Sequence, residues 1–207
     1  MATILTFLAC PPPALPQAAA TKPAAKPAEP APAHARVILH TTLGDIHIEL
    51  ETARAPVTSR NFLAYVDSQR FDGIKFYRAL KANDYSNDGL VQAGLQGNIR
   101  NAFPPIAHES TVITGLSHVD GAVSMARGSA VGSARADFFI IVGGMPHYDG
   151  VPNGGDPGYA VFGRVVSGMS VARRIMRLPR AKDASNPRMQ GQMLAEPVTI
   201  ISARRAP

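Results

Sequence analysis

The chain has 207 residues, about one domain's worth, and its hydrophobic content of 45% supports a real core. Trp is absent while Gly and Pro number 18 each, a mix that favours turns and β structure over long helices. The formal charge of +6 comes from Lys and Arg scattered along the chain, which reads as a solvated basic surface and argues against a nucleic-acid partner.

The single cysteine, Cys10, excludes an internal disulfide or a Cys-based metal site. It closes a short apolar run, Ile4 to Ala9, and residues 1–10 read as a signal-like or lipoprotein-like segment. Leu8-Ala9-Cys10 resembles the site at which bacterial lipoproteins are cleaved and acylated on cysteine, although Phe7 stands where Leu is usual and no Lys or Arg precedes Lys22. Three readings stay open: a lipid tether through Cys10, plain secretion, and a mis-assigned start that leaves a cytoplasmic tail. The first two predict a periplasmic or exported protein. Residues 11–35 hold too few large apolar side chains to offset the entropy of ordering, and their prolines favour an extended spacer. No segment is long enough to span a membrane.

From Arg36 the texture changes. Val37, Ile38 and Leu39 predict a strand, and after Gly44 the run Ile46, Ile48, Leu50 alternates with His47, Glu49 and Glu51, giving a hairpin with one wet face. Ala55-Pro56 opens a helix that carries Phe62, Tyr65 and Val66 on one face and ends before Phe71-Asp72-Gly73. Further strands are predicted at 74–80, 89–95, 122–126, 138–142, 159–166 and 198–203, and a second helix at 169–178 with Ser167 as N-cap and Pro179 as stop. Without regular βαβ alternation, these elements imply a mainly β domain over residues 36–205. Its form is a closed eight-stranded antiparallel barrel, free of exposed edges and capped by two α-helices.

Most catalytic signatures are absent. There is no Walker sequence, nucleophile elbow or paired-histidine zinc helix, and the histidines at 34, 40, 47, 108, 118 and 147 show no ligand spacing, so neither metal nor cofactor is expected. The Gly-rich run 127–133 lacks the Gly-Lys-Ser/Thr of a phosphate loop. His108-Glu109-Ser110 names triad residue types, but a triad forms from side chains that converge in space.

Other blocks carry a signal through their order: Phe76-Tyr77-Arg78, Leu90-Val91-Gln92-Ala93-Gly94, Gly121-Ala122-Val123-Ser124-Met125-Ala126-Arg127, Ala136-Asp137-Phe138-Phe139-Ile140 and Tyr159-Ala160-Val161-Phe162-Gly163-Arg164-Val165. This order resembles the cyclophilin family of peptidyl-prolyl cis-trans isomerases, and the Met-Ala-Arg, Ala-Asp-Phe-Phe and Tyr-Ala-Val-Phe-Gly variants are similar to its bacterial branch. The resemblance implies the same barrel, acting on X-Pro bonds of proline-containing polypeptides and assisting their folding, and the chain is expected to act as a monomer. It places the family's catalytic arginine on Arg78 and its glutamine on Gln92, and it puts the proline pocket at Phe76, Leu90, Phe139 and Tyr159. Backbone groups that hold substrate fall on Ala126 and Arg127, and the rim on His147 and Tyr148. The same blocks also fit a non-catalytic chaperone or scaffold that binds proline-containing segments.

The chain departs from the family pattern in two places. Residues 81–87 are inserted between Arg78 and Gln92, and Gly89 stands where the family has a Phe that walls the pocket, which predicts a shallower pocket unless Tyr85 folds back to replace the ring. His147 in place of a larger aromatic weighs against tight binding of cyclosporin, a known family ligand.

Overall fold

Strand pairing starts at Ala35, opposite Leu50. The computed structural model describes residues 34–83, 87–184 and 186–206. The expected segment 1–10 with Cys10, the expected tether up to residue 33, and Tyr85 lie outside the described residues.

β1 (Ala35–Thr41) and β2 (Gly44–Leu50) form the anticipated hairpin, with Val37 opposite Ile48 and Leu39 opposite Ile46, all four fully buried. Thr41 ties the turn by donating from Oγ1 to the Gly44 carbonyl at 2.6 Å and accepting from the Leu43 N–H at 3.1 Å. α1 (Pro56–Asp67) follows, with Pro in its first turn. Its N-cap residue, Ala55, has no side-chain acceptor, and Glu109 supplies one from a distance. The two Glu109 carboxylate oxygens accept from the N–H groups of Val57 at 3.0 Å and Thr58 at 2.8 Å.

β3 (Lys75–Lys81), β4 (Gly89–Gly94), the single-turn α2 (Thr111–Thr114), β5 (Ala122–Met125), β6 (Phe138–Val142), β7 (Ala160–Ser167), α3 (Met169–Met176) and β8 (Met193–Arg205) complete the chain. The strands close in the order β1-β2-β7-β5-β6-β4-β3-β8, every pairing antiparallel, so the mainly β, eight-stranded barrel expected from the sequence is the one observed. α1 packs on β7 and β8, α3 on β2, β3, β4 and β6. Inside, Phe62 of α1 meets Phe71, Phe138 and Phe162 at ring separations of 5.1, 5.1 and 5.2 Å, an aromatic centre whose truncation at Phe62 would cost about 3–5 kcal/mol. Among the described residues no helix is long and apolar enough to cross a membrane.

Three expectations need correction. α2 was not anticipated; it is a single turn, capped by Ser110 and ended by Gly115 in the left-handed conformation. α3 is preceded by Gly168, not Ser167, at its N-cap, because a Cβ there would lie 2.1 Å from the Asp45 carbonyl oxygen. β8 extends well beyond 198–203 in both directions, because its first part pairs with β3 and its last with β1, Pro197 notwithstanding.

Candidate active site

A bulge in β3 decides which side chains face out. Phe76 pairs with Ala93 and Arg78 with Gln92, so two residues of β3 answer one step of β4, and Phe76 and Arg78 lie on opposite faces instead of the same one. Phe76 is therefore fully buried inside the barrel, 6.2 Å from the Phe138 ring, and does not belong to the proline pocket where the family blocks had put it. Arg78 is half-buried on the outer face.

From Arg78 a single cross-strand row runs over the sheet: Arg78 opposite Gln92, Gln92 opposite Phe139, Phe139 opposite Ser124, and Ser124 opposite Val161. Phe139 lies in a second apolar cluster, outside the barrel core, with Leu90, Ala122, Ile141, Met145 and Val161. Tyr148 and Tyr159 stand edge-on to Phe139 at 6.0 and 5.5 Å and lie 5.0 Å from each other, forming a three-ring recess. The Tyr159 N–H donates to the Tyr148 carbonyl at 3.0 Å, which holds the two walls together. The Arg127 guanidinium sits 5.1 Å from the centre of the Tyr159 ring and donates to the Gly158 carbonyl at 3.1 Å from Nε and 3.0 Å from Nη2. The Arg127 side chain thus braces the Tyr159 wall, and the Ala126 N–H donates to the Asp137 carbonyl at 2.8 Å. His147 is exposed on the rim, its ring 4.8 Å from that of Tyr148.

Arg78 is fixed from two sides. Its Nη1 donates to Gln92 Oε1 at 2.8 Å, while Nε and Nη2 both donate to Gln192 Oε1 at 2.8 and 2.6 Å. Gln192, just ahead of β8, had no signal in the sequence pattern. Arg78 is close enough to the recess for its charge to draw the Tyr148 hydroxyl's acidity upward in strength, opposing burial, which dominates and raises that pKa. Beside the recess opens a cavity of about 470 Å³ lined in part by Tyr77, Gln92, Arg127, Arg135 and Asp137.

The family model "Cyclophilin type peptidyl-prolyl cis-trans isomerase/CLD" matches residues 36–204. The chain belongs to the cyclophilin family. It is 33% identical over 174 residues to a peptidyl-prolyl cis-trans isomerase of Acinetobacter baylyi, covering 83% of this chain and 86% of the relative. It is 36% identical over 174 residues to one of Streptomyces antibioticus, covering 81% and 96%. A human peptidyl-prolyl cis-trans isomerase-like 3 is 33% identical over 144 residues, covering 69% and 83%, so identity alone does not separate the bacterial branch from the rest. A cyclophilin of Cryptosporidium parvum superposes with a TM-score of 0.67 at 19% identity, covering 84% of this chain and 98% of its own. A second structure of that protein, solved in the presence of the dipeptide Ala-Pro, gives 0.66 at 20% identity, with 83% and 99% covered. The cyclophilin described here is a peptidyl-prolyl cis-trans isomerase.

In this cyclophilin the absence of a Phe at position 89 has a steric reason. A Cβ on Gly89 would lie 2.0 Å from the Leu80 carbonyl oxygen and 2.4 Å from Met176 Cε, so no larger side chain fits. Leu80, opposite Leu90 in the β3–β4 ladder, packs against the Phe139 cluster, and Tyr148 contributes a ring from the other side.

Support for the recess comes from a residue that ligand spacing did not single out. His118 is buried with its ring stacked on Phe139 at 6.0 Å, its Nδ1 2.5 Å from Asp149 Oδ1 and its Nε2 2.9 Å from Ser124 Oγ. Burial holds the imidazole below its usual pKa despite the Asp149 carboxylate, so the neutral ring donates to Asp149 and accepts from Ser124. Burial pushes Asp149 the other way, but hydrogen bonds from Ser117 and His118 outweigh it and hold the carboxyl below its usual range. The arrangement has triad residue types, but Ser124 and His118 are 0% and 1% exposed, which closes them to substrate and leaves them a supporting role behind Phe139 and Tyr148.

Proposed function

We propose that the prolyl ring of a polypeptide substrate rests on Phe139 between Tyr148 and Tyr159, with the Arg78 guanidinium against the imide nitrogen. Rotation about an X-Pro bond is slow because amide resonance sets a barrier of about 18–20 kcal/mol, although the two isomers differ by only about 0.5–1 kcal/mol. As the bond twists, the nitrogen lone pair is freed from resonance and becomes a hydrogen-bond acceptor. A donor placed there binds the twisted form more strongly than either planar form, and that difference lowers the barrier. Arginine stays protonated throughout, so no proton need be exchanged. Gln92 has a second amide hydrogen with which to hold the peptide backbone on one side of the rotating bond.

One observation carries this reading: the hydrogen bonds of Arg78 run to the neutral carbonyls of Gln92 and Gln192, which fix the guanidinium beside the strand position opposite Phe139 without cancelling its charge. The test is an isomerisation assay on an X-Pro peptide with Arg78→Ala, alongside calorimetric binding of the same peptide. A rate loss of roughly 100-fold or more with binding retained supports the role. An unchanged rate removes it, and binding without any acceleration in the unaltered chain returns the non-catalytic scaffold reading.

Proline-containing polypeptides outside the cytoplasm are the substrates this reading assigns, handled by a monomer. Its support is the apolar run Ile4 to Ala9, Cys10 and the proline-rich stretch that follows. Mass spectrometry of the N-terminus from native cells tests it: acylation at Cys10 makes the protein a lipoprotein, cleavage without acylation a secreted one, and an intact N-terminus removes export.

A further inference from the structure

The hydrogen-bond chain behind Arg78 has only one polarity. Arginine has donors and no acceptor, so the Gln92 atom that faces it at 2.8 Å is the carbonyl oxygen. The Gln92 amide nitrogen must then point away, and it lies 2.6 Å from the Tyr77 hydroxyl oxygen. That hydroxyl accepts from Gln92 and donates its own hydrogen to Asp137 Oδ1 at 2.9 Å. Asp137 Oδ1 is held in turn by the Gln96 N–H at 2.9 Å. The chain thus starts on a group that can only donate and ends on a carboxylate, which can only accept, so each bond fixes the direction of the next.

Burial makes that direction matter. Gln92 and Tyr77 are 6% and 4% exposed, so water is a poor substitute for either partner. Tyr77 is the additional residue of the β3 bulge, and the bulge is what lets neighbouring Tyr77 and Arg78 both bond to Gln92. Neither Tyr77 nor Asp137 packs in the Phe139 cluster; both line the adjoining cavity. They are therefore placed to act on Arg78 and not on the prolyl ring.

We propose that Tyr77 and Asp137 are positioning residues for Arg78, acting through the Gln92 amide; this rests on the reading that Arg78 works at the prolyl nitrogen. Without the Tyr77 hydroxyl the Gln92 nitrogen loses its acceptor, the amide is free to flip, and its NH2 group would then confront the guanidinium. Arg78 would keep Gln192 but lose the second point that fixes its plane. The twisted form of the substrate suffers more than the bound planar form, so kcat falls with little change in KM. Replacing Asp137 by a neutral acceptor leaves the chain connected but removes its charge assistance, a smaller effect of the same kind.

The experiment uses the unaltered chain, Tyr77→Phe, Asp137→Asn and Arg78→Lys. It compares kcat and KM on one X-Pro peptide, thermal melting, and the nuclear magnetic resonance signal of the Arg78 Nε–H, identified by its loss in Arg78→Lys. The expected result is a kcat about tenfold lower in Tyr77→Phe and about threefold lower in Asp137→Asn, with KM within about twofold. The Arg78 Nε–H signal should shift in both, although neither substitution touches Arg78. A purely structural role predicts a lower melting temperature, with kcat per folded molecule and the Nε–H signal unmoved. A wild-type kcat in folded Tyr77→Phe, or in Asp137→Asn should Tyr77→Phe not fold, overturns the proposal. Full activity in Arg78→Lys would instead overturn the reading of Arg78 itself, so the two failures are distinguishable.

Discussion

Gln192 accepts from Arg78 twice, its one carbonyl oxygen lying 2.8 Å from Nε and 2.6 Å from Nη2. This fork holds the guanidinium by its edge, and the acceptor's neutrality keeps the charge free for substrate. Gln192→Glu should therefore hold Arg78 more tightly while cancelling its charge: melting temperature is expected to stay level or rise, and kcat/KM to fall by about tenfold. Gln192→Ala should lower kcat/KM without the gain in stability. Calorimetry and an isomerisation assay on the same preparations check both, and an undiminished rate in Gln192→Glu would count against the neutral-acceptor argument.

Glu109 takes the place of an N-cap for α1, bonding the Val57 and Thr58 N–H groups and also the Thr58 hydroxyl at 2.7 Å. Its removal strands those donors at the helix start. Glu109→Ala is expected to cost about 1–2 kcal/mol, lowering the melting temperature by about 2–8 °C. Turnover per folded molecule should be unchanged, because Glu109 has no contact with the recess. A melting curve that superposes on that of the unaltered chain would show the cap to be dispensable.

Asp137 is half-buried, and burial raises its pKa although Gln96, Tyr77 and Gly97 all donate to it and pull the other way. A carboxyl whose folded pKa lies above the unfolded one binds its proton more tightly in the folded state. The associated stability is present in full below the unfolded value and is lost as pH rises through the folded one. At neutral pH the ionised group thus opposes folding. Asp137→Asn should melt at the same or a higher temperature than the unaltered chain at pH 7, with the difference shrinking toward pH 4. Calorimetry across that range decides, and a lower melting temperature at pH 7 speaks against the assignment.

His118 gives the opposite slope. Burial depresses its pKa, so the unfolded chain takes up a proton that the folded one resists. Its contribution to stability is present above the ordinary imidazole value of about 6.5 and is lost as pH falls from there through the lower folded value. The protein should melt lower at pH 5 than at pH 7, and part of that slope should disappear in His118→Asn. Retention of the whole slope would assign it to other groups.

The barrel was legible because its signals are local. Ile46, Ile48 and Leu50 alternate with polar residues, and Phe62, Tyr65 and Val66 recur at helical spacing, so each element announces its buried face within a few residues. Family blocks placed Arg78, Gln92, Leu90, Phe139, Tyr148 and Tyr159 on one face, and the structure brings them together there. Phe76 went astray because its place beside Arg78 in the family block does not say which face it takes, and the bulge that turns the two to opposite faces shows only in the pairing with β4. Gln192 was out of reach for another reason: 114 positions separate it from Arg78, and their meeting depends on how β8 closes onto β3. The same holds for Tyr77 with Asp137, 60 positions apart, and for His118 with Asp149, 31 positions apart.

Counting around the ring, β1 stands diametrically across from β6, the strand that bears Phe139. Anything joined ahead of residue 35 therefore enters at the back of the molecule. A surface, bead or fusion partner attached by that route would leave the front face turned outward and open to passing chains, whereas the same attachment through a strand next to β6 would shade it.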